Sequence, residues 1–169
     1  NIPPLSEAIK VLEFPRQKRK PFRCIADFFA NDRLDVVGFT LASAGLKISD
    51  YEREFYDRGE FTKYYQIHGL GVELAEALAE VLHKQIRLDL DIVPKEGHTL
   101  NDVQMKQYVG CRYSPGYAAC PELSQNRDIF DLLNPEKYGI ELSETFQMHP
   151  EQTTCAIVVH NKEANYYNV

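Results

Sequence analysis

Apolar residues recur along this chain with two different periods, and the changes of period divide it into elements. From Asp35 to Ala42, Val37, Phe39 and Leu41 alternate with Val36, Gly38 and Thr40, the two-residue period of a strand with one face more buried than the other. Leu70, Leu74, Leu78 and Val81 instead recur every three or four residues, which predicts a helix over Gly71–Leu88 with these side chains on one face. Glu73, Glu76, Glu80 and Lys84 repeat on an adjacent face, either as a solvated stripe closed by a Glu80–Lys84 pair or, at Glu76, as a functional carboxylate. Ser49–Tyr56 reads as the start of a helix, with Ser49 as N-cap and Glu52 completing a capping box. Ile86–Val93 is either a further strand or a continuation of the long helix, and Asn101 to about Tyr108 is another helix. Ser124 or Asn126 caps a short amphipathic helix carrying Ile129, Leu132 and Leu133, ended by Asn134-Pro135. Glu144–Met148 and Thr154–His160 are β-rich, with Ile157, Val158 and Val159 in a buried strand. Residues 1–23, opening on Ile2-Pro3-Pro4, read as an extended arm with one helical turn. This order predicts a single-domain α+β fold with a largely antiparallel sheet.

Length and charge narrow the classes of partner. A chain of 169 residues, 44% apolar and 26% charged, can bury a core of its own. Its net charge of −6 disfavours nucleic acid, although Arg16, Lys18, Arg19, Lys20 and Arg23 gather into a basic stretch that is a solvated edge or a docking patch for an acidic partner. The longest apolar run, near Val36–Leu46, is too short to span a bilayer and contains Thr40 and Ser43. Cys24, Cys111, Cys120 and Cys155 form no CxxC pair and read as reduced thiols of a cytoplasmic protein; a metal pair of Cys111 and Cys120 with His149 is a remote alternative. The five histidines are widely spaced, without a nucleophile partner, and read as surface or packing residues. There is no GxSxG elbow, no HExxH and no Walker loop, and Gly69 and Gly71 alone are weak evidence for a phosphate turn.

The unusual chemistry lies in "GCRYSPGYAACPELS", Gly110–Ser124. Arg112, three further residues and then Gly116-Tyr117 form an RxxxGY arrangement. A guanidinium grips a carboxylate or phosphate with a planar fork. Pro115 stiffens the turn, Gly116 lets the backbone approach a ligand, and Tyr117 offers an aromatic face and a hydroxyl. These parts suit a zwitterionic ligand with a flat ring. The competing reading is an arginine bridging to an internal carboxylate beneath a packed tyrosine.

"RYSPGYAACPELS" resembles the RxxxGYxACP signature of the S-adenosylmethionine-binding activation domain of cobalamin-dependent methionine synthase. "CIADFF", "HGLGVELAEALAEVLHKQIR", "IFDLLNPEKYGIELSETFQMHP" and the terminal "YYNV" resemble further blocks of that domain, in its order. The likeness runs from about Phe14 to the end, leaving residues 1–13 as the arm. It implies a twisted antiparallel sheet flanked by helices, in a domain that takes part in a methyltransferase without being catalytic alone. Such a domain caps the cobalamin-binding domain and presents S-adenosylmethionine, while flavodoxin or a flavoprotein reductase supplies an electron. Cobalamin that has become oxidised and inactive is thereby returned to its methylated form. The cobalamin itself is held by a separate domain.

Carried over by position, the resemblance implies that Arg112 holds the ligand's carboxylate and that Gly116 allows close approach. The loop from Tyr113 through Pro115 and Tyr117 to Ala118 lines the adenosyl site, and Tyr166 stands near the ligand. Glu76 matches a helix glutamate of the contact region, consistent with the attraction of a sulfonium for carboxylate and aromatic faces. Two departures stand out. Ala118 replaces a usual proline, and no counterpart is found before Phe14 for a family N-terminal portion whose acidic residue meets the ligand's amino group. A chain beginning at Asn1 therefore reads as cut from something longer, with its ligand affinity open. The alternatives are a protein-interaction module docking flavodoxin without ligand, and a free-standing S-adenosylmethionine-dependent methyltransferase. Against the latter, no strand runs into a glycine-rich turn of the doubly wound type.

Overall fold

The computed structural model describes residues 8–92 and 108–169. Three antiparallel strands form the sheet: β1 (Gly38–Ser43), β2 (Cys111–Tyr113) and β5 (Thr153–Val159), in the order β1-β5-β2. Two short strands, β3 (Glu141–Leu142) and β4 (Met148–His149), make a separate hairpin. The helices are α1 (Leu46–Asp57), α2 (Phe61–Asp89) and α3 (Gln125–Leu133). The α+β architecture with an antiparallel sheet is the one expected.

β5 is central because its run of β-branched residues is buried on both faces, as a strand with a layer on each side requires. Cys155, Ile157 and Val159 face a core completed by Ile25, Phe28, Ile129 and Tyr167. The alternate residues face α2, which lies across β1 and β5. Register carries the alternation to the neighbours: Thr40 pairs with Ala156, and Arg112 pairs with Val158. The side chains of Cys111 and Tyr113 enter the core, so Arg112 between them is directed to the α2 side. Behind the strand, Gly110 has φ +92, and a Cβ there would lie 2.4 Å from the Val159 carbonyl oxygen.

Several local expectations are corrected. Helix α1 begins three residues before Ser49, after Gly45 at φ +86. Ser49 and Glu52 therefore sit inside the helix and do not form a capping box. Instead Ser49 Oγ donates to Gln152 Oε1 at 2.7 Å and Gln152 Nε2 donates to Glu52 Oε1 at 2.8 Å, tying α1 to the start of β5. Helix α2 continues through Ile86 to Asp89, so no strand starts there. Its buried residues are Gly71, Ala75, Ala79, His83 and Arg87, a four-residue spacing of mostly small side chains. Leu70, Leu74, Leu78 and Val81 do lie together along the helix but are exposed. Small residues win the buried face because they let the helix approach the sheet closely, as in the contact of Gly71 with Gln152. Residues 143–147 form the hairpin turn rather than a strand. The helix expected over 101–108 falls, up to residue 107, outside the described residues.

The arm from Ala8 to Arg16 has no regular secondary structure and is pinned to the domain. Lys10 bridges Asp128 and Asp131 of α3, Gln125 Nε2 donates to the Glu13 carbonyl, and Leu12 and Phe14 pack on the core. In the basic stretch Arg16 is held bidentately by Asp27 and Arg23 donates to Asn165, while Lys18, Arg19 and Lys20 are exposed. Among the described residues no helix is long and apolar enough to cross a membrane.

Candidate functional site

Arg112 is the centre of the site. Its guanidinium is nearly buried, and Nη2 donates to Glu80 Oε1 at 2.7 Å and lies 3.5 Å from Glu76 Oε2. The two glutamates are one helical turn apart on α2, so they face the same strand residue. Burial works against the charge on Arg112, yet Glu80 and, less strongly, Glu76 hold its pKa above the ordinary arginine value. Arg112 Nε is buried without a hydrogen-bond partner among the described residues. The arginine-to-internal-carboxylate reading is thus realised in this structure, beside an open cleft.

The cleft has a volume of about 430 Å³, within the usual range for a small-molecule site. Glu76 and Val72 of α2 form one wall. Arg112 to Ser114 and Tyr117 to Cys120 form the second, and Tyr166 to Asn168 the third. The loop wall owes its shape to a tight turn: Gly116, at φ +87, donates its N–H to the Cys120 carbonyl at 2.8 Å, and Cys120 N donates back to Tyr117 O at 2.9 Å. The third wall is tied on by Val169 N, which donates to Ala118 O at 3.3 Å.

Four tyrosines, at 113, 117, 166 and 167, line the cleft. Tyr113 is buried, stacks with Phe28, meets Tyr166 edge-on at 6.0 Å and donates its hydroxyl to Asn165 O. Tyr117 is 70% exposed and has an open face. Burial pushes the Tyr113 and Tyr166 phenols above their ordinary values, and Tyr167 up to about 12, so all three remain neutral at physiological pH. Behind Glu80, the Tyr108 hydroxyl donates to both carboxylate oxygens at 3.2 and 3.1 Å. The Tyr108 ring lies under the Arg87 guanidinium at 4.1 Å and meets His83 edge-on at 5.1 Å.

Six of the eight residues proposed from the sequence, Glu76, Arg112, Tyr113, Tyr117, Ala118 and Tyr166, line this one cleft. Pro115 and Gly116 line an adjoining groove with Asn126, Met148 and Thr153. Val72, Ser114 and Asn168 also line the cleft. Ser114 belongs to the loop expected to line the site, whereas Val72 and Asn168 lie in blocks of the resemblance without having been singled out, because a valine and an amide become site residues only through placement. Glu80 had a signal, its place in the acidic stripe, but its partner is Arg112 rather than Lys84. Cys111 and Cys120 are core residues, and burial raises the Cys120 thiol to about 11. His149 lies on the β3–β4 hairpin, and among the described residues no cluster of three potential ligands could hold a metal.

Comparison with known proteins gives one consistent result. Residues 6–169 match the family model described as "Vitamin B12 dependent methionine synthase, activation domain". Methionine synthase of Mycobacterium tuberculosis is 40% identical over 169 residues, covering 92% of this chain but 14% of that protein. The Mycobacterium leprae protein of the same name is 39% identical with the same coverage. A solved structure described as "Crystal Structure of the MetH Reactivation Domain bound to AdoHcy" superposes with a TM-score of 0.85 at 28% identity, over 95% of this chain and 52% of that one. The chain therefore spans only a small part of the length of the curated relatives it matches. With the family model covering nearly the whole chain, this protein belongs to the activation-domain family of vitamin B12-dependent methionine synthases.

Proposed function

We propose that this chain binds S-adenosylmethionine in the 430 Å³ cleft and serves as the reactivation unit of a cobalamin-dependent methionine synthase. One observation carries the reading: a guanidinium, a half-exposed carboxylate and two aromatic faces converge on one cleft in a fold that matches a reactivation domain bound to AdoHcy. The donor set fits the ligand's charges. Arg112 is the anchor for the carboxylate, and Glu76, once released from Arg112, faces the ligand's cationic centres. Tyr117 and Tyr166 provide faces for the adenine or the sulfonium. Pro115 and Gly116 act from behind, by fixing the turn that presents Tyr117.

S-adenosylmethionine, when bound, supplies an electrophilic methyl group on a sulfonium. Among the site residues described, none is placed as a nucleophile or general base, so their contribution is binding and orientation. In the whole enzyme, this face meets the cobalamin-binding domain, with flavodoxin or a flavoprotein reductase as the electron donor. The basic edge around Lys18–Lys20 is the proposed contact for that acidic partner. Four buried free thiols fit a cytoplasmic setting.

Titration calorimetry tests the reading. The chain is expected to bind S-adenosylmethionine at one site, and Arg112→Ala to weaken binding by about tenfold or more. Equal affinity of the two proteins would remove Arg112 as the anchor, and no binding by the native chain would remove the reading itself.

A further inference from the structure

The two glutamates that face Arg112 differ in distance, exposure and support. Glu80 accepts from Nη2 at 2.7 Å and its side chain is 23% exposed; Glu76 lies at 3.5 Å and is 48% exposed. Glu80 is also held from behind, because the Tyr108 hydroxyl reaches both of its oxygens. The Tyr108 ring is fixed in turn by the buried Arg87 and His83 side chains. No comparable second partner holds Glu76 among the described residues.

We propose that Glu80, tethered by Tyr108, is a positioning residue that orients Arg112 toward a ligand carboxylate, while Glu76 is the partner the ligand displaces. The inference rests on the S-adenosylmethionine reading above. Its physical basis is the cost of a nearly buried guanidinium. Removing such a charge from water is unfavourable unless a well-placed counter-charge remains. A fixed carboxylate on one edge keeps Arg112 paired throughout and confines its fork to one orientation, so less freedom is lost when the ligand arrives. Glu76, longer in contact and closer to water, gives up less when it exchanges. Its carboxylate is then free for the ligand's cationic end. Glu80 touches no part of the ligand in this arrangement and acts only through Arg112.

Ligand selectivity tests this, because a merely structural role for Glu80 would weaken all ligands alike. Binding of S-adenosylmethionine and of its decarboxylated analogue, which keeps the sulfonium and amine, is measured for the native chain, Glu80→Gln and Tyr108→Phe. Glu80→Gln is expected to weaken S-adenosylmethionine by about tenfold while the decarboxylated analogue changes by less than about twofold. Tyr108→Phe removes only the supporting hydroxyl and is expected to show the same selective loss at about threefold, so the test stands even if Glu80→Gln does not fold. Equal losses for both ligands, or no loss, would overturn the inference while leaving the binding reading intact. Tighter binding of S-adenosylmethionine to Glu80→Gln would also overturn it, since Glu80 would then be a competitor for Arg112. A native chain that binds neither ligand would take down the binding reading and the inference together.

Discussion

Gly71 of α2 lies directly against Gln152: a Cβ at position 71 would meet Gln152 Cγ at 2.8 Å and Ile48 Cδ1 at 3.2 Å. Gln152 cannot move aside freely, because its amide is already bonded to Ser49 and Glu52. This contact sets how closely α2, which carries Glu76 and Glu80, approaches the sheet that carries Arg112. Gly71→Ala is therefore expected to destabilise the fold by about 1 kcal/mol or more, despite alanine's better helix propensity. Gly69, two residues earlier on the same helix, has open space around its would-be Cβ. There the same substitution is expected to stabilise by about 0.5–1 kcal/mol. Urea unfolding of the two variants checks both signs.

Glu76 is expected to matter to the ligand more than to the fold. Its side chain is half exposed and its contact with Arg112 is long, so Glu76→Gln should leave the melting temperature nearly unchanged. Loss of a carboxylate facing a cationic ligand should weaken S-adenosylmethionine binding by about threefold to tenfold. Calorimetry and thermal melting on the same preparation separate the two effects.

His83 should make stability depend on pH. Burial, followed by the nearby Arg87 and Arg112 charges, lowers its pKa from 6.5 to about 3, so the folded protein keeps it neutral where the unfolded chain protonates it. The contribution is fully present above pH 6.5 and is lost as pH falls from 6.5 toward 3. The unfolding free energy should drop with a limiting slope of about 1.4 kcal/mol per pH unit in that window. Both ring nitrogens are buried without hydrogen-bond partners among the described residues, so His83→Leu removes no hydrogen bond, although it gives up the edge-on contact with Tyr108. The variant should fold at pH 7.5 and show a flatter profile between pH 6.5 and 5; an unchanged slope would contradict the assignment.

The sequence showed the elements better than it showed how they face each other. The β-branched run of β5 could only be a buried strand, and the apolar alternation before Ala42 identified β1. The periodicity of α2 located a helix but pointed to its leucines, whereas Gly71, Ala75 and Ala79 carry the packing. A sheet that accepts a helix at close range selects small residues, and hydrophobic spacing does not weigh them. Ser49 and Glu52 matched a capping pattern locally, but Gln152, a hundred residues away from Glu52, claims both. Residue types alone singled out Arg112, Gly116 and Tyr117 and raised Glu76 as a candidate carboxylate; resemblance strengthened Glu76 and added Tyr166. Glu80 was not legible as a site neighbour, because its pairing with Arg112 exists only once β2 is laid beside α2.

The most direct test of the account is an amide NMR titration of this chain with S-adenosylmethionine. Shift changes should concentrate in Arg112–Ala118, Tyr166–Asn168 and the turn of α2 around Glu76, the three walls of the cleft. Changes centred instead on the groove of Tyr56, Tyr64 and His149, or no saturable change at all, would contradict it.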